Sequence, residues 1–179
     1  MNNKIPNQRE LLLLRHGKSS WDTVDGDFDR PLTDKGQQYV KRVAIDLQQN
    51  NLIPDFILSS PAQRAIHTAT IVCQSLGIDS DTIHTDSQIY NARYEDLLNV
   101  ITECPQQSHR VLLVGHNPSL EELVDYLRSD SNGQQSNDSH LSPATLVHLQ
   151  TDHDWQQLQP SCTNLVSITH ARNLADNND

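Results

Sequence analysis

The sequence predicts an α/β fold, a three-layer α/β/α sandwich in which a mostly parallel sheet carries helices on both faces. Three observations lead there. Short apolar runs at 11–14, 56–59 and 111–114 are the right length for strands, and in the first and third every side chain is apolar, as strands buried on both faces require. Helical stripes separate or follow them: Val40, Val43, Ala44 and Leu47; then Ala62, Ala65, Ile66 and Ala69; then Leu120, Leu123, Val124 and Leu127. Such alternation of strand and helix is the pattern of a parallel sheet with crossover helices. A chain of 179 residues suits one domain and is long enough to bury a core.

The elements follow in order. Residues up to about 9 are expected to be flexible, and the strand at 11–14 stops at Arg15-His16-Gly17, where glycine relieves the steric limits of a turn. After the second strand, Ser60 can cap a helix, Pro61 suits its first position and Gln63 completes a capping box. Asn117 and Pro118 take the same two parts after the strand at 111–114. A Ser-, Asn-, Asp- and Gln-rich stretch at 129–139 reads as a mobile loop, 146–149 and 165–169 as late strands, and 173–179 as a frayed tail.

In open α/β sheets, ligands sit outside the carboxyl ends of the strands, so Arg15, His16, Arg64 and His116 are expected to converge there. The two helices would aim their N-termini at the same crevice, where free N–H groups and the helix dipole favour phosphate. Each residue alone has a plainer reading: Arg64 as a solvated first-turn side chain, His116 as a strand-end hydrogen-bonding group. Three strand-to-helix junctions of one design make the joint reading stronger. Neutral imidazole is a competent nucleophile near neutral pH, provided that a group such as a nearby backbone carbonyl holds its other nitrogen. Phosphoryl transfer is mainly positioning and charge stabilisation, which suits two guanidinium forks and a second imidazole.

Four motifs in order, Arg15-His16-Gly17-Lys18-Ser19, Arg30-Pro31-Leu32-Thr33-Asp34-Lys35-Gly36, Ser59-Ser60-Pro61-Ala62-Gln63-Arg64-Ala65 with Thr68-Ala69, and Val114-Gly115-His116-Asn117-Pro118, carry a resemblance. The chain resembles the histidine phosphatase superfamily, with the phosphoglycerate mutase-like fold, and within it the small phosphohistidine phosphatases of the SixA type. The resemblance implies that His16 is the phosphorylated nucleophile and that Arg15, Arg64 and His116 bind the transferred phosphoryl group, with Ser19 as a further phosphate contact. Many members place a glutamate after the third strand. Here that region runs from Ile89 to Leu97 and offers Glu95 as general acid, or equally as a first-turn carboxylate of the helix that follows. Relatives often carry asparagine where this chain has Asp22, and an acid there would repel phosphate, so Asp22 is not expected to bind; Asp27, Asp29 and Lys18 are expected at the rim.

A formal net charge of −10 without a basic cluster argues against nucleic acid or an anionic membrane as partner. The remaining histidines show no metal-ligand spacing, and no metal or other cofactor is implied. Three widely spaced cysteines suggest no disulfide framework, and the first apolar run is too short for a signal-peptide core, so a cytoplasmic location is expected. The short chain leaves little room for segments that close over a small substrate, unless 22–29 or 129–139 act as lids. That points to a phosphatase acting on a phosphorylated protein, with a small-molecule phosphomonoesterase and a non-catalytic phosphate-binding module as the alternatives.

Overall fold

The computed structural model describes residues 8–22, 26–129 and 140–175. Among these, β1 (Arg9–Arg15), β2 (Phe56–Ser59), β3 (Ile83–Thr85), β4 (Arg110–Gly115), β5 (Thr145–Thr151) and β6 (Asn164–His170) form one sheet in the order β3-β2-β4-β1-β5-β6. The pairings β3 to β2, β2 to β4 and β4 to β1 are parallel. β5 runs antiparallel to both of its neighbours and is the exception to the expected parallel sheet.

Four helices cover the sheet: α1 (Asp34–Gln49), α2 (Gln63–Leu76), α3 (Tyr94–Thr102) and α4 (Ser119–Leu127). Alternation along β1 decides which side chain meets which layer. Leu12 and Leu14 pack with Val40, Val43 and Leu47 of α1 and Ala65 and Val72 of α2, whereas Leu11 and Leu13 pack with Leu97 and Ile101 of α3 and Leu120 and Leu123 of α4. With all four leucines at 1% exposure or less, each contributes about 1.5–3 kcal/mol.

Gly17 is required by close approach rather than by a turn conformation. A Cβ there would stand 2.8 Å from Val40 Cγ2, and one on Gly36 would stand 2.1 Å from the Lys18 carbonyl oxygen. The link after β1 is thereby pressed onto the first turn of α1, which Thr33 caps by accepting from the Gly36 N–H at 3.0 Å.

The other two expected caps are corrected. Helix α2 begins at Gln63 behind Ala62, and α4 at Ser119 behind Pro118, neither with a side-chain cap. Ser60 and Asn117 have other partners: Ser60 Oγ lies 2.8 Å from His116 Nε2 while accepting from the Ala62 N–H, and Asn117 Nδ2 donates to Glu121 Oε1 within α4 and to the Leu141 carbonyl. At the inner edge of each expected flexible end one described residue, Arg9 or Asn173, belongs to a regular element. Arg9 opens β1, is buried, and donates to the Ser108 carbonyl and Asp154; residues 171–173 form a 3-10 turn. Of the expected loop at 129–139 and the tail, residues 130–139 and 176–179 lie outside the described residues. No helix among the described residues is long and apolar enough to cross a membrane.

Candidate active site

Parallel register brings the junctions together. Arg15 pairs with Gly115 across β1 and β4, Ser59 with Val114 across β2 and β4, and the pairing runs on as His16 N–H donates to the Gly115 carbonyl and Ser60 N–H to that of Val114. The His16 and His116 rings therefore stand side by side, with centroids 5.0 Å apart, and Arg64 on the first turn of α2 brings its Nε to 3.3 Å from His16 Nε2. Arg15, His16, Arg64 and His116 all line one cavity of about 550 Å3, a size usual for ligand sites. Lys18, Ser19, Trp21 and Arg30 line it as well. Among the described residues its lining holds four cationic side chains and no carboxylate, in a chain of net charge −10.

The tautomer of His16 follows from its neighbour. Its Nδ1 is 2.7 Å from the Gly17 carbonyl, which can only accept, so Nδ1 carries the proton and Nε2 keeps its lone pair. Burial first, then the positive fields of Arg64, Arg15 and Arg30, push the imidazole down to about 4 against the pull of the Gly17 carbonyl. His116 is pushed down to about 3, again by burial first and then by His16 and Arg64. Its Nδ1 is buried without a hydrogen-bond partner among the described residues, a cost a native fold rarely bears without reason.

The guanidiniums are held from outside the cavity. Arg15 Nη1 donates to the Leu141 carbonyl at 2.5 Å. Arg64 sends Nη1 to the Asp27 carbonyl at 2.6 Å and Nη2 to Asp27 Oδ2 at 3.0 Å. Arg30, buried beneath the exposed indole of Trp21, donates to Asp27 Oδ1 at 2.9 Å and to Ser19 Oγ at 2.8 Å. Hydrogen bonds from Arg30 foremost hold the Asp27 carboxyl down at about 2. The helix termini contribute less than expected, because the Gln63 N–H already donates to the Phe28 carbonyl and the Ala62 N–H to Ser60 Oγ. Side chains, not free helix N–H groups, dominate the lining.

Known proteins resemble this chain in sequence and fold. The model of the histidine phosphatase superfamily (branch 1) matches residues 11–89, the stretch that supplies Arg15, His16 and Arg64. A structure from Agrobacterium tumefaciens, assigned as the phosphohistidine phosphatase SixA, superposes with a TM-score of 0.74 at 28% identity over 90% of this chain and 97% of that one. Over residues 11–89 the chain matches the histidine phosphatase superfamily, and its fold is that of these structures. A second structure assigned as SixA, from Nakamurella multipartitia, shares the fold with a TM-score of 0.79 at 23% identity over 91% of this chain and 96% of that one. The 2,3-bisphosphoglycerate-dependent phosphoglycerate mutase of Bifidobacterium longum (strain DJO10A) is 42% identical over 65 residues, 35% of this chain. The chain spans only 26% of that mutase's length.

Within this histidine phosphatase fold, Ser19 joins the four expected residues, oriented by Arg30. Glu95 does not line the cavity: it sits on the first turn of α3 and accepts from the exposed Arg93 at 3.1 Å. The first-turn reading of Glu95 is the one the geometry favours. From the same region it is Tyr90 that reaches the site, its hydroxyl donating to Asp27 Oδ2 at 3.0 Å and its ring lying edge-on to His116 at 5.8 Å. Burial, then the hydrogen bond to Asp27, raises the Tyr90 phenol above its ordinary value. Asp22 does not line the cavity either. Arg30 and Tyr90 were missed as site residues although Arg30 stands in a quoted motif; the Leu141 carbonyl carries no side-chain signal to find.

Proposed function

We propose that the protein is a single-domain, cytoplasmic phosphatase that removes phosphoryl groups from protein phosphohistidine through a covalent intermediate on His16. The observation that carries this reading is the unprotonated Nε2 of a buried, neutral His16, met by the Arg64 Nε–H at 3.3 Å in a cavity whose charged lining is cationic. In the first step Nε2 attacks phosphorus, the P–Nε2 bond forms, and the leaving group departs with its electron pair. In the second, water attacks the phosphoenzyme, releasing inorganic phosphate and restoring the lone pair. Arg15, Arg64 and His116 bind the equatorial oxygens, and Ser19 adds a hydroxyl contact.

The leaving group supports phosphohistidine. An alkoxide needs a proton as it departs, whereas an imidazole protonated on its other nitrogen from solvent leaves neutral. The carboxylate beside this site, Asp27, is held ionised, and Glu95 points elsewhere, so the geometry favours a substrate that needs no strong acid. Three unpaired cysteines among the described residues suit a reducing compartment. The decisive experiment compares phosphate release by the wild type and His16→Ala from a phosphohistidine-bearing protein and from sugar and glycerate phosphates. The expected result is preference for the phosphoprotein, abolished by the substitution. Preference for an ester would establish a small-molecule phosphomonoesterase, and no release from any of them would leave a phosphate-binding module.

A further inference from the structure

Asp27 is the unassigned charge of this site. Two guanidiniums that line the cavity, Arg64 at 6% exposure and Arg30 at 8%, converge on its one carboxylate. The Tyr90 hydroxyl supplies a third donor. Main-chain contacts fix the carboxylate's own position: the Asp27 carbonyl accepts from Arg64 Nη1, and the carbonyl of the next residue, Phe28, accepts from Gln63 N–H at the start of α2. Arg64 is thus gripped by its terminal edge, Nη1 and Nη2. Its side edge, the Nε–H and the second hydrogen of Nη2, is left for the group on His16 Nε2, which the Nε already meets at 3.3 Å.

We propose that Asp27 is a positioning residue that fixes Arg64 and Arg30 around the phosphoryl group, raising the rate of transfer at the expense of ground-state anion affinity. The inference rests on the phospho-His16 reading. A free arginine side chain samples many rotamers, and misplacement of a reacting geometry by about 1 Å costs on the order of a hundredfold in rate. A carboxylate that pins two arginines removes that freedom. The same carboxylate neutralises part of the positive field, so it must weaken the binding of a phosphate dianion.

Those two effects have opposite signs, and Asp27→Asn separates them. The expected result is a kcat at least tenfold lower on the phosphohistidine protein, with KM unchanged or lower and inorganic phosphate bound, by calorimetry, as tightly as before or several-fold more tightly. A kcat that rises would make Asp27 a competitor for the anion site and overturn the proposal. So would an unchanged kcat, or weaker phosphate binding. Tyr90→Phe removes only the third donor and keeps the test open should Asp27→Asn fail to fold: it should lower kcat more modestly, and an unchanged kcat counts against the proposal. In the double variant the two losses should not add, because Tyr90 acts through Asp27; additive losses would overturn that coupling. If His16→Ala kept full turnover, the phospho-His16 reading would fall, while the phosphate affinities of Asp27→Asn and wild type would still decide the electrostatic half of the proposal.

Discussion

Holding His16 neutral has a consequence for stability that titration can reveal. Its imidazole stands at about 4 in the fold and near 6.5 when the chain is unfolded, so between those values the unfolded state binds the proton and the folded state does not. Stability is therefore fully present above pH 6.5 and is lost progressively as pH falls towards 4, below which this group adds no further loss. Each pH unit across that window is worth about 1.4 kcal/mol, which gives about 3 kcal/mol for His16. The assay is urea unfolding of the wild type and His16→Gln between pH 4 and pH 7. The variant cannot pay this proton penalty, so its stability relative to wild type should improve by about 3 kcal/mol from pH 7 to pH 4. Parallel profiles would refute the reasoning, because they would mean that His16 titrates alike in both states. His116→Gln should behave in the same way over a window extending to about 3.

Three shorter predictions concern the cavity. Arg64→Lys keeps the charge but cannot grip Asp27 and reach His16 Nε2 at once, so single-turnover phosphate release should slow by about a hundredfold; full turnover would remove Arg64 from its role. Glu95→Gln should leave phosphate release from esters and from phosphohistidine within about twofold of wild type, since first-turn surface contacts of this kind contribute little; a selective loss on esters would restore Glu95 as general acid. Of the two tryptophans, Trp21 is 78% exposed on the cavity wall and Trp155 is fully buried, so inorganic phosphate should shift the emission of Trp21. That response should vanish in Trp21→Phe, and its survival there would place the anion elsewhere.

Whatever depends on local periodicity was legible in the sequence. The three runs became β1, β2 and β4, the late strands became β5 and β6, and the stripes became the buried faces of α1 and α4; of the α2 stripe Ala65 and Ala69 are on the buried face, while Ala62 precedes the helix and Ile66 is only half-buried. The convergence of Arg15, His16, Arg64 and His116 was legible too, because strand ends and helix starts in parallel units have one place to go. What failed was whatever depended on competition between partners. Ser60 and Asn117 have the right chemistry to cap helices, but Ser60 meets His116 from the neighbouring junction and Asn117 turns to Glu121 and the Leu141 carbonyl, choices that only tertiary structure makes. The direction of β5 is set by its pairing with β1 and leaves no mark on an apolar pattern.

The electrostatics of the site turn on where charge sits rather than on how much there is. A chain of net charge −10 holds an anion pocket because Arg15, Lys18, Arg30 and Arg64 face one cavity, while the acids among the described residues lie outside the lining. Burial first, and then the nearby guanidiniums, keeps both histidines unprotonated far below neutral pH, so the cavity's positive charge is carried by groups that do not titrate near pH 7. His16 can therefore remain a nucleophile inside a field that favours anions. A protonated His16 would strengthen phosphate binding and abolish attack; the fold resolves that conflict by assigning charge to the arginines and the lone pair to Nε2, because the Gly17 carbonyl accepts from Nδ1–H and so keeps the proton on Nδ1.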